Sequence, residues 1–314
     1  MKKIFTLVAA AFVCMMALAT KDIWYWQNGQ YVKLTAVDSV TFDDPFAQPE
    51  LPTLVLDPLN FTVNGISFKM MPVDGGSFMM GAQSTDSTAA SYDANAADNE
   101  SPVHKVKLSS YWIAETECPE VLFSSFVYDN NNTSTDSLRP AHQIIYSKVQ
   151  TFIDSLNNYM HRTYQLPESA NFTLPTEAQW EFAAKGGNLS KGYLYAGSDS
   201  VRGVAVVNQW ESANSFSYIK SKQPNELGLY DMSGNLMEYC DGYYNEYTAD
   251  DQVDPQDTVK SSYRILRGGN YYSTYLNSRT TWRGKVDAEI DKVTNNIGFR
   301  LCLNLNESLE SMLK

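Results

Sequence analysis

The sequence is short of the residues and motifs on which much enzyme chemistry depends. It has three histidines, at 104, 142 and 161, and no H-E-x-x-H spacing, which excludes a histidine-rich metal cluster. No G-x-x-x-x-G-K-[ST] or G-x-G-x-x-G occurs, so the usual phosphate-cradling loops are missing. A nucleophile elbow of the G-x-S-x-G type is missing too, which argues against Ser-His-Asp hydrolysis. Basic residues are scarce: 24 Lys and Arg stand against 36 Asp and Glu, a net charge of −12 over 314 residues. A chain that acidic repels phosphate and is unsuited to sequence-independent nucleic-acid binding. Four cysteines occur and none forms a C-x-x-C pair.

What is present is a folded, aromatic-rich chain, with 43% apolar residues and 20 Tyr, 14 Phe and 6 Trp. A single long apolar run, Ile4 to Ala19, follows Lys2 and Lys3 and ends in the A-x-A sequence Ala17-Leu18-Ala19. That is the layout of a secretory signal peptide over residues 1–19, so export to the periplasm, the cell surface or the medium is expected. Val13, where a lipid-attachment cysteine wants a small neighbour, argues against a lipoprotein anchored at Cys14. No second run is long enough to span a membrane. Cleavage would leave Cys118, Cys240 and Cys302, an odd number. Buried free thiols are the expectation, with a Cys240–Cys302 bridge as the alternative.

Residues 20–42 carry Asn28-Gly29 between two β-rich runs, a hairpin signal. Residues 43–58 hold four prolines and read as a linker. The main domain is expected over 59–303, followed by a tail at 304–314. Within it, Asn64-Gly65 marks a second hairpin, and 82–101 is a polar surface loop. A short helix is expected from Pro119 to Phe126, with an amphipathic helix from Ile144 to His161. Thr176 and Gln179 form a capping box opening a third helix that Gly186 closes. The aggregate is α+β with a high loop content.

Several segments point to a family when taken in order: Gly75 to Gly81 (G-G-S-F-M-M-G), Glu100 to Val106 (E-S-P-V-H-K-V), Glu115 to Glu117 (E-T-E), Leu174 to Gly187 (L-P-T-E-A-Q-W-E-F-A-A-K-G-G), Pro224 to Glu238 (P-N-E-L-G-L-Y-D-M-S-G-N-L-M-E), Arg267-Gly268-Gly269 and Asn296 to Arg300 (N-I-G-F-R). The set resembles the formylglycine-generating-enzyme (sulfatase-modifying factor) family, which implies a C-type-lectin-like fold. Asp231 and Glu238 lie seven apart around a Ser-Gly-Asn turn, which can aim two carboxylates and two carbonyls at one point, as Ca²⁺ requires. The bland reading of the same residues is an Asx-turn capping a loop. The resemblance implies a calcium site made by Asp231, the carbonyls of Gly234 and Leu236, and Glu238.

Active members of the family oxidise a sulfatase cysteine to formylglycine with O₂ and a copper ion held by two thiolates. Those thiolates fall four and nine residues after the second glycine of R-G-G. Here the positions are Ser273 and Ser278, whose hydroxyls are poor ligands for soft Cu(I). The serine and tryptophan that line the oxygen pocket in active members correspond to Asn270 and Met237. The resemblance therefore implies the fold without the copper oxidase, so bound copper is not expected. The loop 270–283, with Tyr271, Tyr272, Tyr275, Asn277 and Trp282, has the composition of a recognition surface for a protein, peptide or glycan. Its bland reading is a solvated loop. The alternative function is a surviving formylglycine-generating or related non-haem metal oxidase. His104 is expected to be structural, and Arg300 to pair with an inner carboxylate, Glu181 being the candidate.

Overall fold

The computed structural model describes residues 23–27, 30–34, 56–127, 136–208, 215–289 and 294–304. The leader with Cys14, the Asn28-Gly29 pair, nearly all of the proline-rich stretch and the tail from 305 lie outside the described residues. The chain divides into two compact units, 1–54 and 55–314. In the first, Ile23–Gln27 pairs antiparallel with Gln30–Leu34, Gln27 standing opposite Gln30. Among the described residues no helix is long and apolar enough to cross a membrane.

The second unit is built from short strands. Asn64 and Gly65, at φ 49° and 82°, join Leu59–Val63 to Ile66–Val73 with Val63 opposite Ile66. Two successive left-handed residues give the tight turn that matches the strand twist. This hairpin begins a five-stranded antiparallel sheet that continues through Tyr111–Ala114, Cys302–Asn304 and Phe172–Thr173. The end of the domain is thereby stitched beside its beginning. A second sheet runs in the order Arg283–Asp287, Tyr263–Arg267, Met237–Tyr243, Ile297–Phe299, the last pair parallel. A third joins Gln252–Val253, His104–Leu108 and Gly76–Met80. In His104–Leu108 burial alternates strictly, with His104, Val106 and Leu108 inward and both lysines outward. That is the period of a half-buried strand.

Three helices pack on these sheets: α1 (Glu120–Val127), α2 (Tyr146–Arg162) and α3 (Glu177–Ala184). Pro119 opens α1, its carbonyl accepting from the amides of Leu122 and Phe123. Helix α2 starts two residues later than its apolar stripe suggests, because Ile144 makes a β-bridge with Thr294 and Ile145 is extended. Phe123, Phe152 and Phe299, with ring centres 5.4 to 5.8 Å apart, lock α1 and α2 to the second sheet.

Thr176 and Gln179 form the capping box of α3, with N···O distances of 3.2 and 3.0 Å, and Gly186 follows at φ 92°. All eight residues of α3 are buried, including Glu177, Gln179 and Glu181. A helix buried all round must satisfy its carboxylates internally. Around Trp180 pack Tyr111, Ile113, Phe182, Leu229, Met232 and Ile265.

Cys118, Cys240 and Cys302 are free and buried, and burial raises the pKa of all three thiols. The alternative of a Cys240–Cys302 bridge is not realised. His104 is buried, with Nδ1 3.1 Å from the Pro102 carbonyl and its ring against Tyr247, a structural placement.

Candidate functional site

The turn from Asp231 to Glu238 lies deep in the molecule. Asp231 and Asn235 adopt left-handed φ values of 59° and 61°, and Gly234 lies at 79°. A Cβ on Gly234 would come within 2.4 Å of the Val206 carbonyl, so the close approach requires glycine. Three carboxylates share the region, all buried: Glu117, Asp231 and Glu238. Arg300 answers Glu238 in a fork, Nη2 to Oε1 at 2.6 Å and Nε to Oε2 at 2.7 Å. The Trp180 indole N–H also donates to Glu238 Oε2 at 2.7 Å. Arg300 does not reach Glu181; the expected pairing is replaced by Glu238. The cause is register: Ile297–Phe299 runs parallel to Met237–Tyr243 with Gly298 opposite Glu238.

Glu117 accepts from Asn235 Nδ2 at 2.6 Å and from the Leu236 amide at 2.9 Å. Even so, burial, with Asp231 and Glu238 nearby, raises its pKa well above the carboxylate range. Asp231 Oδ2 accepts from the Lys220 amide at 2.9 Å, while Oδ1 is buried with no partner. Burial is the main cause that lifts the Asp231 carboxyl to about 6.

A second buried ion cluster lies at the other end of the same indole. Arg267 donates to Glu177 and to Glu181, each at 2.7 Å, and its guanidinium sits 5.3 Å from the Trp180 ring centre. Arg283 forks onto Glu177 at 2.7 and 2.8 Å, and Lys185 reaches Glu181 at 2.6 Å. Burial pushes both glutamates up, but the cations win. Arg283 and Arg267 hold Glu177 low, and Lys185 and Arg267 bring Glu181 down to about 2.

Beyond Arg267 the chain turns through Gly268 and Gly269, both at positive φ, into the loop 270–283. Asn270 organises its start: its Oδ1 accepts from the Tyr272 amide at 2.8 Å and its carbonyl from the Ser273 amide at 2.8 Å. The Asn270 amide donates to Ser273 Oγ at 3.1 Å. Ser278 is fully buried and its Oγ has no partner. Tyr271 is buried against Val206 and Leu236, whereas Tyr272 is 56% exposed. Tyr275 packs half-buried on the Val201–Val207 cluster, and Asn277 is held by Thr274. Trp282 is half-buried, lying where a Cβ on Gly284 would stand.

Comparison with known proteins gives this arrangement a family. The model of the sulfatase-modifying factor enzyme 1-like domain matches residues 66–305. The chain belongs to that family. A formylglycine-generating enzyme of Streptomyces coelicolor is 27% identical over 283 residues, covering 73% of this chain and 87% of that protein. A protein of Paenibacillus barcinonensis named chaperone protein LppX is 27% identical over 183 residues, 53% of this chain and 62% of its own length. Among solved structures, Treponema denticola variable protein 1 superposes with a TM-score of 0.64 at 23% identity, over 79% of this chain and 99% of that one. At that identity the likeness is one of fold, the C-type-lectin-like fold of the sulfatase-modifying factors.

Within the sulfatase-modifying factor fold, the residues read from the sequence fall into two groups. Asp231, Glu238 and the glycine of the turn come together with Glu117 and Arg300, two motif residues that the sequence does not assign to this turn. Among the described residues no three His, Cys, Asp or Glu side chains form a metal-binding set. A cation at this turn would therefore depend on main-chain carbonyls beside Asp231 and Glu238. The residues fit one. Asp231 Oδ1 is an orphaned buried acceptor, and three carboxylates face only one buried arginine. The other group is the loop: Asn270 and Ser273 are joined to each other, Ser278 is buried against Gly269, and Met237 is half-buried on its own strand. Glu177, Glu181, Arg267 and Arg283 form a cluster the sequence hinted at only through two carboxylates one helical turn apart in an otherwise apolar helix.

Proposed function

We propose that this chain is an exported recognition protein of the sulfatase-modifying factor family, calcium-braced and without the copper-dependent oxidase. The carrying observation is the chemistry of Ser273 and Ser278 at the positions of the family's two metal-binding thiolates. A serine hydroxyl stays protonated at neutral pH and offers Cu(I) a hard oxygen in place of soft sulfur. Ser273 Oγ is already engaged as an acceptor for Asn270. The three cysteines of the domain supply no substitute, since each thiol is buried and held protonated. Asn270 and Met237, at two further pocket positions, agree with the same reading.

The recognition role rests on the loop. Asn270 pre-forms its first turn through three hydrogen bonds and leaves Tyr272 facing outward. A rigid aromatic presented on an ordered loop gives contact area at little entropic cost. The calcium role rests on Asp231, the Gly234 and Leu236 carbonyls and Glu238. There a bound cation would neutralise buried carboxylate charge and brace the turn under the loop, where Tyr271 N–H donates to the Asn235 carbonyl at 2.9 Å. Export rests on the leader at residues 1–19.

The test is to incubate the purified mature chain, in air, with Cu(I) and a peptide carrying the C-x-P-x-R sulfatase motif, then read the cysteine by mass spectrometry. The expected result is an unmodified cysteine with the natural chain. Conversion to formylglycine would overturn the proposal.

A further inference from the structure

A groove lies beside the loop but is lined by other residues. Asp136, Arg139, Phe216 and Tyr218, with the hydroxyls of Ser215, Ser217 and Ser221, enclose about 460 Å³. Small-molecule sites run from about 300 to 1,000 Å³. Its two walls are tied together by the backbone, Ile219 N–H donating to the Leu138 carbonyl at 2.8 Å. The Ser217 amide donates to Asn235 Oδ1 at 2.8 Å, which fastens the groove to the Asp231–Glu238 turn.

The charges in the groove are already answered. The Arg139 Nε lies 3.1 Å from Glu120 Oε2, and its guanidinium covers the Phe216 ring at 5.3 Å. The Tyr218 hydroxyl bonds to Asp136, whose Oδ1 also accepts from the Leu138 amide at 3.0 Å. His142, stacked 4.5 Å from Phe216, has its pKa lowered by burial and adds no charge at neutral pH. The guanidinium and the carboxylate thus each already face a partner.

What remains is a concave surface with hydroxyls that both donate and accept, set beside aromatic faces. The Phe216 ring is followed by Tyr271 at 6.2 Å and Tyr271 by Tyr272 at 4.4 Å, so the aromatic row leads from the groove to the exposed ring of the loop. Tyr218 itself is 55% exposed. An uncharged ligand with one apolar face and a rim of vicinal hydroxyls suits the exposed Tyr218 ring and the serine hydroxyls beside it. We propose that the groove binds a neutral sugar unit, its C–H face on the exposed Tyr218 ring and its hydroxyls exchanged among Ser215, Ser217 and Ser221. This rests on the recognition reading of the chain and names the ligand class.

The test titrates the mature chain with glucose, galactose, mannose and N-acetylglucosamine and their β-linked disaccharides, by calorimetry and saturation-transfer NMR. At least one sugar is expected to bind with a dissociation constant of about 1 mM, and Tyr218→Ala is expected to weaken it at least about tenfold. Both Tyr218 and Tyr272 are exposed, so their alanine variants should melt at the natural temperature, which calorimetry checks. Absence of binding by the whole panel overturns the proposal, as does binding that Tyr218→Ala leaves unchanged. Loss of sugar binding in Tyr272→Ala but not in Tyr218→Ala also overturns it, by moving the ligand to the loop. The recognition reading fails separately, by formylglycine formation in the peptide assay, which a silent sugar panel leaves untouched.

Discussion

The two ion clusters that meet at Trp180 are built from the same residue types and reach opposite electrostatic states. At the α3 cluster, Glu177 and Glu181 face Arg267, Arg283 and Lys185, and both carboxyls are held below their usual range. At the turn, Glu117, Asp231 and Glu238 face Arg300 alone among buried cations, and burial keeps Glu117 and Asp231 above theirs. The first cluster sets three cations against two carboxylates, so each carboxylate is answered from within the protein. The second is short of positive charge and contains an acceptor, Asp231 Oδ1, with nothing to accept from. Buried carboxylates without cations resolve the conflict by binding protons. A divalent cation is the other resolution, and its weight matches the deficit: three carboxylates against one guanidinium leave two charges to cancel.

The most damaging way to break the contrast is to remove the one cation the turn possesses. Arg300→Met leaves Glu238 with only the Trp180 indole and strips the Ala114 and Tyr230 carbonyls of a donor. Loss of one partner from a buried pair costs about 3–5 kcal/mol, so the midpoint of urea unfolding should fall steeply. A midpoint within error of the natural chain would mean that the turn is not starved of positive charge.

Calcium should separate the clusters next. If it binds the folded turn, a concentration one hundred times its dissociation constant adds about 2.7 kcal/mol of stability, which chelation removes. Asp231→Asn is the sharper probe. Asparagine tolerates the left-handed φ of 59° at this position, so the backbone need not move. The variant keeps an oxygen ligand but gives up a charge, so it should show a smaller calcium-dependent rise in melting temperature and, without calcium, melt above the natural chain. The second half follows from the sign of the shift. A carboxyl raised from 3.8 to about 6 contributes stability that is full below 3.8 and lost as pH rises through 6, so at neutral pH its ionisation is a cost that asparagine avoids. A natural chain indifferent to calcium would remove the divalent resolution and leave only the proton.

Local signals were legible in the sequence and non-local ones were not. Asn64-Gly65 and the Thr176–Gln179 box each encode a few residues of backbone, and both stand where the sequence places them. The start of α2 was misplaced because Ile144 answers to Thr294, a residue 150 positions away. The partner of Arg300 was misassigned for the same reason. The motifs point to Glu181, and only the parallel register of Ile297–Phe299 against Met237–Tyr243 brings Glu238 to Arg300 instead. The turn residues Asp231 and Glu238 are legible as a pair of carboxylates, whereas Glu117 enters from the bend after Tyr111–Ala114, over one hundred residues earlier. In the loop, nothing in the run Tyr271-Tyr272 tells which ring packs on Leu236 and which faces outward. The groove at Tyr218 carries no motif at all, since it is made by two walls that meet only in the fold.

The smallest expected effect concerns Asp257, which sits at the edge of the cation-rich cluster without an ion pair of its own there. The Glu177 amide, in the first turn of α3, donates to its carboxylate, but burial and the neighbouring Glu177 charge outweigh that bond and raise it to about 7. Its stability contribution is therefore full below its ordinary value of 3.8 and lost as pH climbs through 7. Glu181 runs the other way: its contribution is present above 4.5 and is lost only as pH falls toward 2, so it gives no slope between pH 5 and 8. Asp231 does titrate in that window, so the measurement belongs in the Asp231→Asn background. There Asp257 should account for a loss of roughly 2.5 kcal/mol of unfolding free energy between about pH 5 and 8, and adding Asp257→Asn should remove that share and make the slope shallower, Glu117 keeping its own. An unchanged slope would place Asp257 inside the cation-rich cluster after all, and the boundary between the two electrostatic regimes would have to be drawn on the far side of it.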